Sequence, residues 1–202
     1  MLTREKIEAY PKENLSELAL TLEKDDIPQL VDWLSEKDDK IRYPSFLLLQ
    51  ARSEKFNNVY PYWDTFIDKL NDPNSFQRNI GLRLIAANVR WDKQGKFDAV
   101  CDRFLAHCND EKPVTVRQCI QSLCSVVPFN TSCRSKIVET LMAIDISQRQ
   151  ESQQKLVLLD ILSVLILINK ESPDKAIMAY IQQALTGGLL DKKSKAMIEA
   201  QL

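Results

Sequence analysis

One segment of this chain recurs, imperfectly, roughly every 35 to 39 residues. Each copy has an apolar stretch of helical period, a short polar turn, then a second apolar stretch that opens near a basic residue. Leu30-Val31-Asp32-Trp33-Leu34 leads into Lys37-Asp38-Asp39-Lys40-Ile41-Arg42. Phe66-Ile67-Asp68-Lys69-Leu70 leads into Asn71-Asp72-Pro73 and Phe76-Gln77-Arg78. Val100 to Leu105 leads into Asp110-Glu111-Lys112-Pro113 and Val116-Arg117. Ile137-Val138-Glu139-Thr140-Leu141 leads into Asp145 and then Lys155. A period of this length made from two helices marks a stacked repeat, in which each hairpin buries its greasy side against the next.

Other features agree with an all-α chain. Only four glycines occur in 202 residues, too few for a sheet dense in tight turns. No segment sustains the period-two alternation of a strand. The reading is one continuous unit over 1–202 of about ten or eleven helices: N-terminal capping helices over 1–24, repeats over 25–170, and C-terminal capping helices over 171–202. Prolines and acids punctuate it. Asp26 is expected as an N-cap with Pro28 in the first turn, Pro44 in the first turn of its helix, and Asn130 or Thr131 as a later N-cap. Ser147 is expected to open a long helix. Ser172-Pro173-Asp174 reads as a helix start and Gly187-Gly188 as a stop. Gly81 falls inside a helix, at a cost of about 1 kcal/mol against alanine, and is expected to admit a close neighbour.

Charge and hydropathy exclude some functions. A net charge of −1 gives no global field to draw in nucleic acid or an anionic membrane. The most apolar run, Leu156 to Ile168, is too short for a bilayer, which needs roughly 20 residues, and Asp160 interrupts it. It is expected as a helix buried on nearly all sides. The opening residues, Met1 to Lys6, lack the apolar core of a secretion signal. Five cysteines, an odd number, then read as reduced, buried thiols in a cytoplasmic protein.

The repeat resembles the HEAT-like, armadillo-type family over roughly residues 25–170. The matching positions are Leu34, Leu70, Leu105 and Leu141 on first helices, Asp39, Asp72, Asp110 and Asp145 in or near the turns, and Arg42, Arg78 and Arg117 on second helices. The fourth copy departs, with Gln153 where an arginine would stand. The resemblance implies a right-handed α-α superhelix of about four to five helix pairs, with second helices on a concave face. It implies that turn aspartates and helix arginines form a ladder, here Arg42, Asp72, Arg78, Asp110 and Arg117. It also implies binding more often than catalysis.

Candidate sites follow. Arg83 and Arg90, seven apart, share a helix face. With Trp91 and Asp92 they form a binding candidate for an anionic or planar group on the concave side. Trp91-Asp92 also suggests an alternative, since one HEAT-like subgroup, the alkylpurine DNA glycosylases, sets aromatics and an aspartate against a cationic damaged nucleotide. The basic surface that duplex DNA requires is not evident, so nucleic acid is not favoured. Tyr60, Tyr62 and Trp63 are expected to be mostly core, with the tyrosines an interaction spot if exposed. Cysteine spacing does not fit zinc, the single His107 rules out multi-histidine chemistry, and no glycine loop cradles phosphate. No metal and no cofactor is therefore expected. The leading expectation is a non-enzymatic scaffold for a protein or peptide partner, with no membrane contact. Pairing of exposed ends with a second copy is a third reading.

Overall fold

The computed structural model describes residues 2–11 and 14–202. Met1, Lys12 and Glu13, within the expected N-terminal capping segment, lie outside the described residues. Among the described residues the ordered backbone is twelve α-helices joined by short 3-10 turns and loops, with no strand. The chain divides into two compact units, Met1–Lys96 and Phe97–Leu202.

In the first unit α1 (Arg4–Ala9), α2 (Leu15–Thr21), α3 (Asp26–Trp33), α4 (Asp39–Lys55), α5 (Trp63–Lys69) and α6 (Ser75–Asn88) follow in order. Asp38 and Asn74 cap α4 and α6 by accepting the N–H of Lys40 at 2.9 Å and of Phe76 at 3.0 Å. α3 pairs with α4 and α5 with α6, the two longer helices pack on each other, and α1 and α2 pack on α4. Leu30, Leu34, Leu48, Leu49, Trp63 and Phe66 fill the space between them. Gly81 brings α6 close to α5: a Cβ there would lie 2.7 Å from the Phe66 carbonyl oxygen.

In the second unit α7 (Lys96–Ala106), α8 (Pro113–Val126), α9 (Arg134–Met142), α10 (Glu151–Glu171), α11 (Lys175–Thr186) and α12 (Lys192–Glu199) follow. α10 is the hub, packed by α8, α9, α11 and α12. It is the apolar run of the sequence, and Val157, Leu158, Ile161, Leu162, Val164 and Leu165 are buried. Among the described residues no helix is long and apolar enough to cross a membrane. Asp174, not Ser172, caps α11 through the amides of Ala176 and Ile177, so the helix expected to open at Ser172-Pro173-Asp174 starts only after the acid, at Lys175, and Gly187 ends it.

Several local expectations need correction. Asp26 is not an N-cap: it is the first residue of α3, and its buried carboxylate accepts the N–H groups of Leu2 at 2.6 Å and Glu23 at 2.9 Å. Pro44 lies one turn deeper than expected, inside α4. Its missing N–H leaves the carbonyl of Lys40, an exposed residue, to solvent. Ser147 sits in a separate 3-10 turn capped by Asp145, so α10 begins at Glu151. Asn130 caps ahead of α9, taking the N–H of Cys133 at 3.0 Å, while the N-cap position itself is Cys133.

Candidate functional site

Arg90, Trp91 and Asp92 are occupied by the fold itself. α4 ends at Lys55 and leaves carbonyls without intrahelical partners. Trp91 donates its indole N–H to the Ser53 carbonyl at 2.7 Å, and the Arg90 guanidinium donates to the Glu54 carbonyl. Asp92 accepts the Lys96 N–H at 3.0 Å at the start of α7, and the Tyr60 hydroxyl at 2.7 Å. Burial, and then that hydrogen bond, push the Tyr60 phenol well above its usual range. Tyr60 and Tyr62 are only half exposed and Trp63 is buried, so this aromatic group is mainly a joint between α5 and the segment before α7.

The ladder arginines sit at helix pairs but mostly serve backbone carbonyls. Arg42 pairs with Asp39 one turn away and donates to the Glu36 carbonyl at 3.2 Å. Arg78 donates to the carbonyls of Asp72 and Pro73 at 2.9 and 3.0 Å, while the Asp72 carboxylate accepts the Asn74 N–H. The Asp110 carboxylate likewise accepts the Lys112 N–H at 2.8 Å. Arg117 departs from the turn-aspartate pattern. Its fork closes on Asp160 of α10 at 2.7 and 3.2 Å, with Gln121 donating to the same carboxylate at 2.9 Å. The acid that interrupts the apolar run is thus the counter-ion of a second helix. Arg149, unremarked in the sequence, donates to the Cys108 carbonyl and the Asn109 side chain.

Arg83 is different. It is half-buried on α6, donates to the Gln50 carboxamide oxygen on α4 at 2.7 Å, and lies over the Phe46 ring at 4.6 Å. Burial lowers its pKa. No carboxylate pairs with it among the described residues.

Around Arg83 the α4/α6 surface shows large aromatic side chains. Phe76 is 62% exposed and Tyr43 is 45% exposed. The Tyr43 ring is 6.2 Å from that of Phe46, and the Arg42 guanidinium is 5.7 Å from the Phe76 ring centre. Asn79, one turn before Arg83, keeps a buried side-chain oxygen without a hydrogen-bond partner. The residues that sequence reasoning missed here are Tyr43, Gln50, Phe76 and Asn79. A signal for them existed once the helix bounds are known: α6 and α8 contain no Asp or Glu, whereas α3, α5 and α7 carry two aspartates each.

Away from this face, Lys69 is buried with its ammonium on the Gln77 oxygen at 2.6 Å and Ser35 at 3.3 Å, and Gln77 ties on to the Leu34 carbonyl at 2.8 Å. This relay locks α5 and α6 to the end of α3. In the second unit the Cys108 and Cys119 sulfurs approach to 3.6 Å as free thiols, and burial pushes the Cys119 thiol far up. A cavity of about 490 Å³ opens beside Arg134, Glu139, Ile168 and Asp174, but its one guanidinium is spent on the Val127 carbonyl and Glu171. No protein-family model matches the chain, and no curated protein and no solved structure matches it.

Proposed function

We propose that the chain is a non-enzymatic, HEAT-like binding module that takes a protein or peptide partner on the face formed by α4 and α6. The right-handed solenoid order inferred from the repeat belongs to this reading, with second helices as the binding side. The observation that carries it is the pair of exposed aromatics, Tyr43 and Phe76, on the α4/α6 surface that also carries Arg42 against the Phe76 ring and the half-buried Arg83. Large exposed rings next to an arginine are the composition of an interface hot spot rather than of a solvated helix face. A reducing, cytoplasmic setting goes with it, supported by free cysteines that include two sulfurs 3.6 Å apart and unbonded.

The nucleotide-directed alternative draws no support from Asp92, whose carboxylate takes the Tyr60 hydroxyl and the Lys96 N–H. The test is selection from a random peptide library displayed on phage. Enriched peptides are expected to lose binding when Tyr43→Ala and Phe76→Ala are combined, with helicity by circular dichroism retained. Enriched peptides that bind the double variant as well as the parent would place the binding surface elsewhere and sink the proposal.

A further inference from the structure

We infer that Arg83 is the specificity-determining residue of the α4/α6 face and that its occupant is an acidic peptide segment, one Asp or Glu carboxylate closing on the guanidinium while an adjacent apolar side chain packs on Tyr43 and Phe76. This rests on the binding-module reading and adds the chemistry of the partner.

The argument is one of incomplete satisfaction. The neighbouring arginines have their acceptors. Arg42 has Asp39, and Arg4 has Glu36. The buried Arg52 has the carbonyls of Ala19 and Leu20 at 3.0 Å each and the Asn58 side chain at 3.2 Å. Arg83 has one neutral amide oxygen and one ring face for a guanidinium with five N–H donors. A partly dehydrated cation without a counter-ion is costly, and a carboxylate brought by a ligand recovers that cost through charge-assisted hydrogen bonds. α6 carries no acid of its own to compete; of the two acids on α4, Asp39 pairs with Arg42, and neither Asp39 nor Glu54 pairs with Arg83.

The arrangement of the arginines on this face chooses between occupants. Arg42 is already paired with Asp39, and Arg90 holds the end of α4. One open guanidinium among aromatics fits a single carboxylate with an apolar neighbour, and not a run of phosphates, which calls for several cations in a row.

The library selection is extended to test this. The expected consensus pairs Asp or Glu with a neighbouring Leu, Phe or Trp. Replacing that acid by its amide in a synthetic peptide should weaken binding, read by fluorescence anisotropy, roughly 10- to 100-fold. Arg83→Gln should give a loss of the same size, and the two losses should not add. Arg83→Lys should recover part of the affinity, since charge survives but the fork does not. The peptide-side change needs no protein variant, so a poorly folding Arg83→Gln leaves the test intact. An acid-free consensus that still depends on Tyr43 and Phe76 overturns this inference and leaves the module reading standing; acidic peptides indifferent to both aromatics overturn both. Self-association that Arg83→Gln abolishes would make a second copy the occupant, and tighter, steeply salt-dependent binding of an oligonucleotide would make it a nucleic acid. Either result also overturns the inference.

Discussion

Gly81→Ala sets two opposite effects against each other, and the geometry decides the sign. Removing a glycine from a helix interior gains about 1 kcal/mol in propensity, and the new methyl, in a buried position, adds at most about 0.8 kcal/mol of burial. Against this, the Cβ would meet the Phe66 carbonyl oxygen at 2.7 Å and the Lys69 Cβ at 3.1 Å. The first obstacle is backbone, so no side-chain rotation relieves it. α5 must move, and α5 is pinned by Trp63 and Phe66, both with 0% exposure, and by the Lys69–Gln77–Leu34 relay. Overpacking of this kind costs about 1–3 kcal/mol, sometimes more, and the rigidity of the obstacle puts the cost at the upper end. The net expectation is a loss of about 1 kcal/mol or more, which lowers the urea midpoint by about 0.5 M for a typical slope of roughly 2 kcal/mol per M. Amide hydrogen exchange should localise the loss to α5 and α6. Gly188→Ala is the matched control: nothing lies within 4 Å of its Cβ position, and the variant should gain about 0.4–1 kcal/mol through the unfolded chain. If Gly81→Ala raises the midpoint as Gly188→Ala does, the close approach of α5 and α6 is wrong, and with it the placement of the helix that carries Phe76, Asn79 and Arg83.

Other perturbations test the remaining contacts. Asp160→Ala strips the partner from the Arg117 fork and should cost about 2–4 kcal/mol by urea unfolding; Asp160→Leu combined with Arg117→Met should recover most of that, and a single-variant cost near zero would remove the pair from the fold. Burial lowers the Lys69 pKa, with Asp72 opposing the shift and Arg42 adding to it. The unfolded state therefore binds the extra proton between the lowered folded value and the ordinary lysine value, and stability should rise with pH across that window. Lys69→Met should flatten the rise in a series of urea midpoints, and an unchanged slope would contradict the burial. Trp91→Phe forfeits the bond to the Ser53 carbonyl and should cost about 1 kcal/mol in thermal unfolding while leaving peptide selection unaltered; a changed consensus would return Trp91 to the binding surface.

What could be read before the structure follows from the range of the interactions involved. Helix existence and most bounds are local: Asp38, Asn74 and Asp174 announce their helices, and the 3.6-residue spacing of apolar side chains does the rest. Pro44 misled because proline reads as a helix start, while the fold tolerates the lost bond one turn further in, at the carbonyl of an exposed residue. The site was less legible because an arginine's role depends on what lies some 30 to 45 residues away in the chain. Arg90 and Arg117 look alike in sequence, yet one finds the Glu54 carbonyl and the other the Asp160 carboxylate. Arg83 looks the same again and meets the Gln50 amide, the Phe46 ring and the neighbouring Tyr43, but no carboxylate. Helix patterning in the sequence does not say that α4 packs on α6 or α8 on α10, nor which residue stands opposite each guanidinium. That is why Arg90, Trp91 and Asp92, grouped with Arg83 by proximity in the chain, end as supports for the end of α4 and the start of α7, while Tyr43, 40 residues away on α4, and Phe76, two turns earlier on α6, share the α4/α6 surface with Arg83. A recurrent arginine in such a chain is a structural cation wherever a carbonyl end or an acid falls within its reach, and becomes available to a partner only where the facing helix supplies neither.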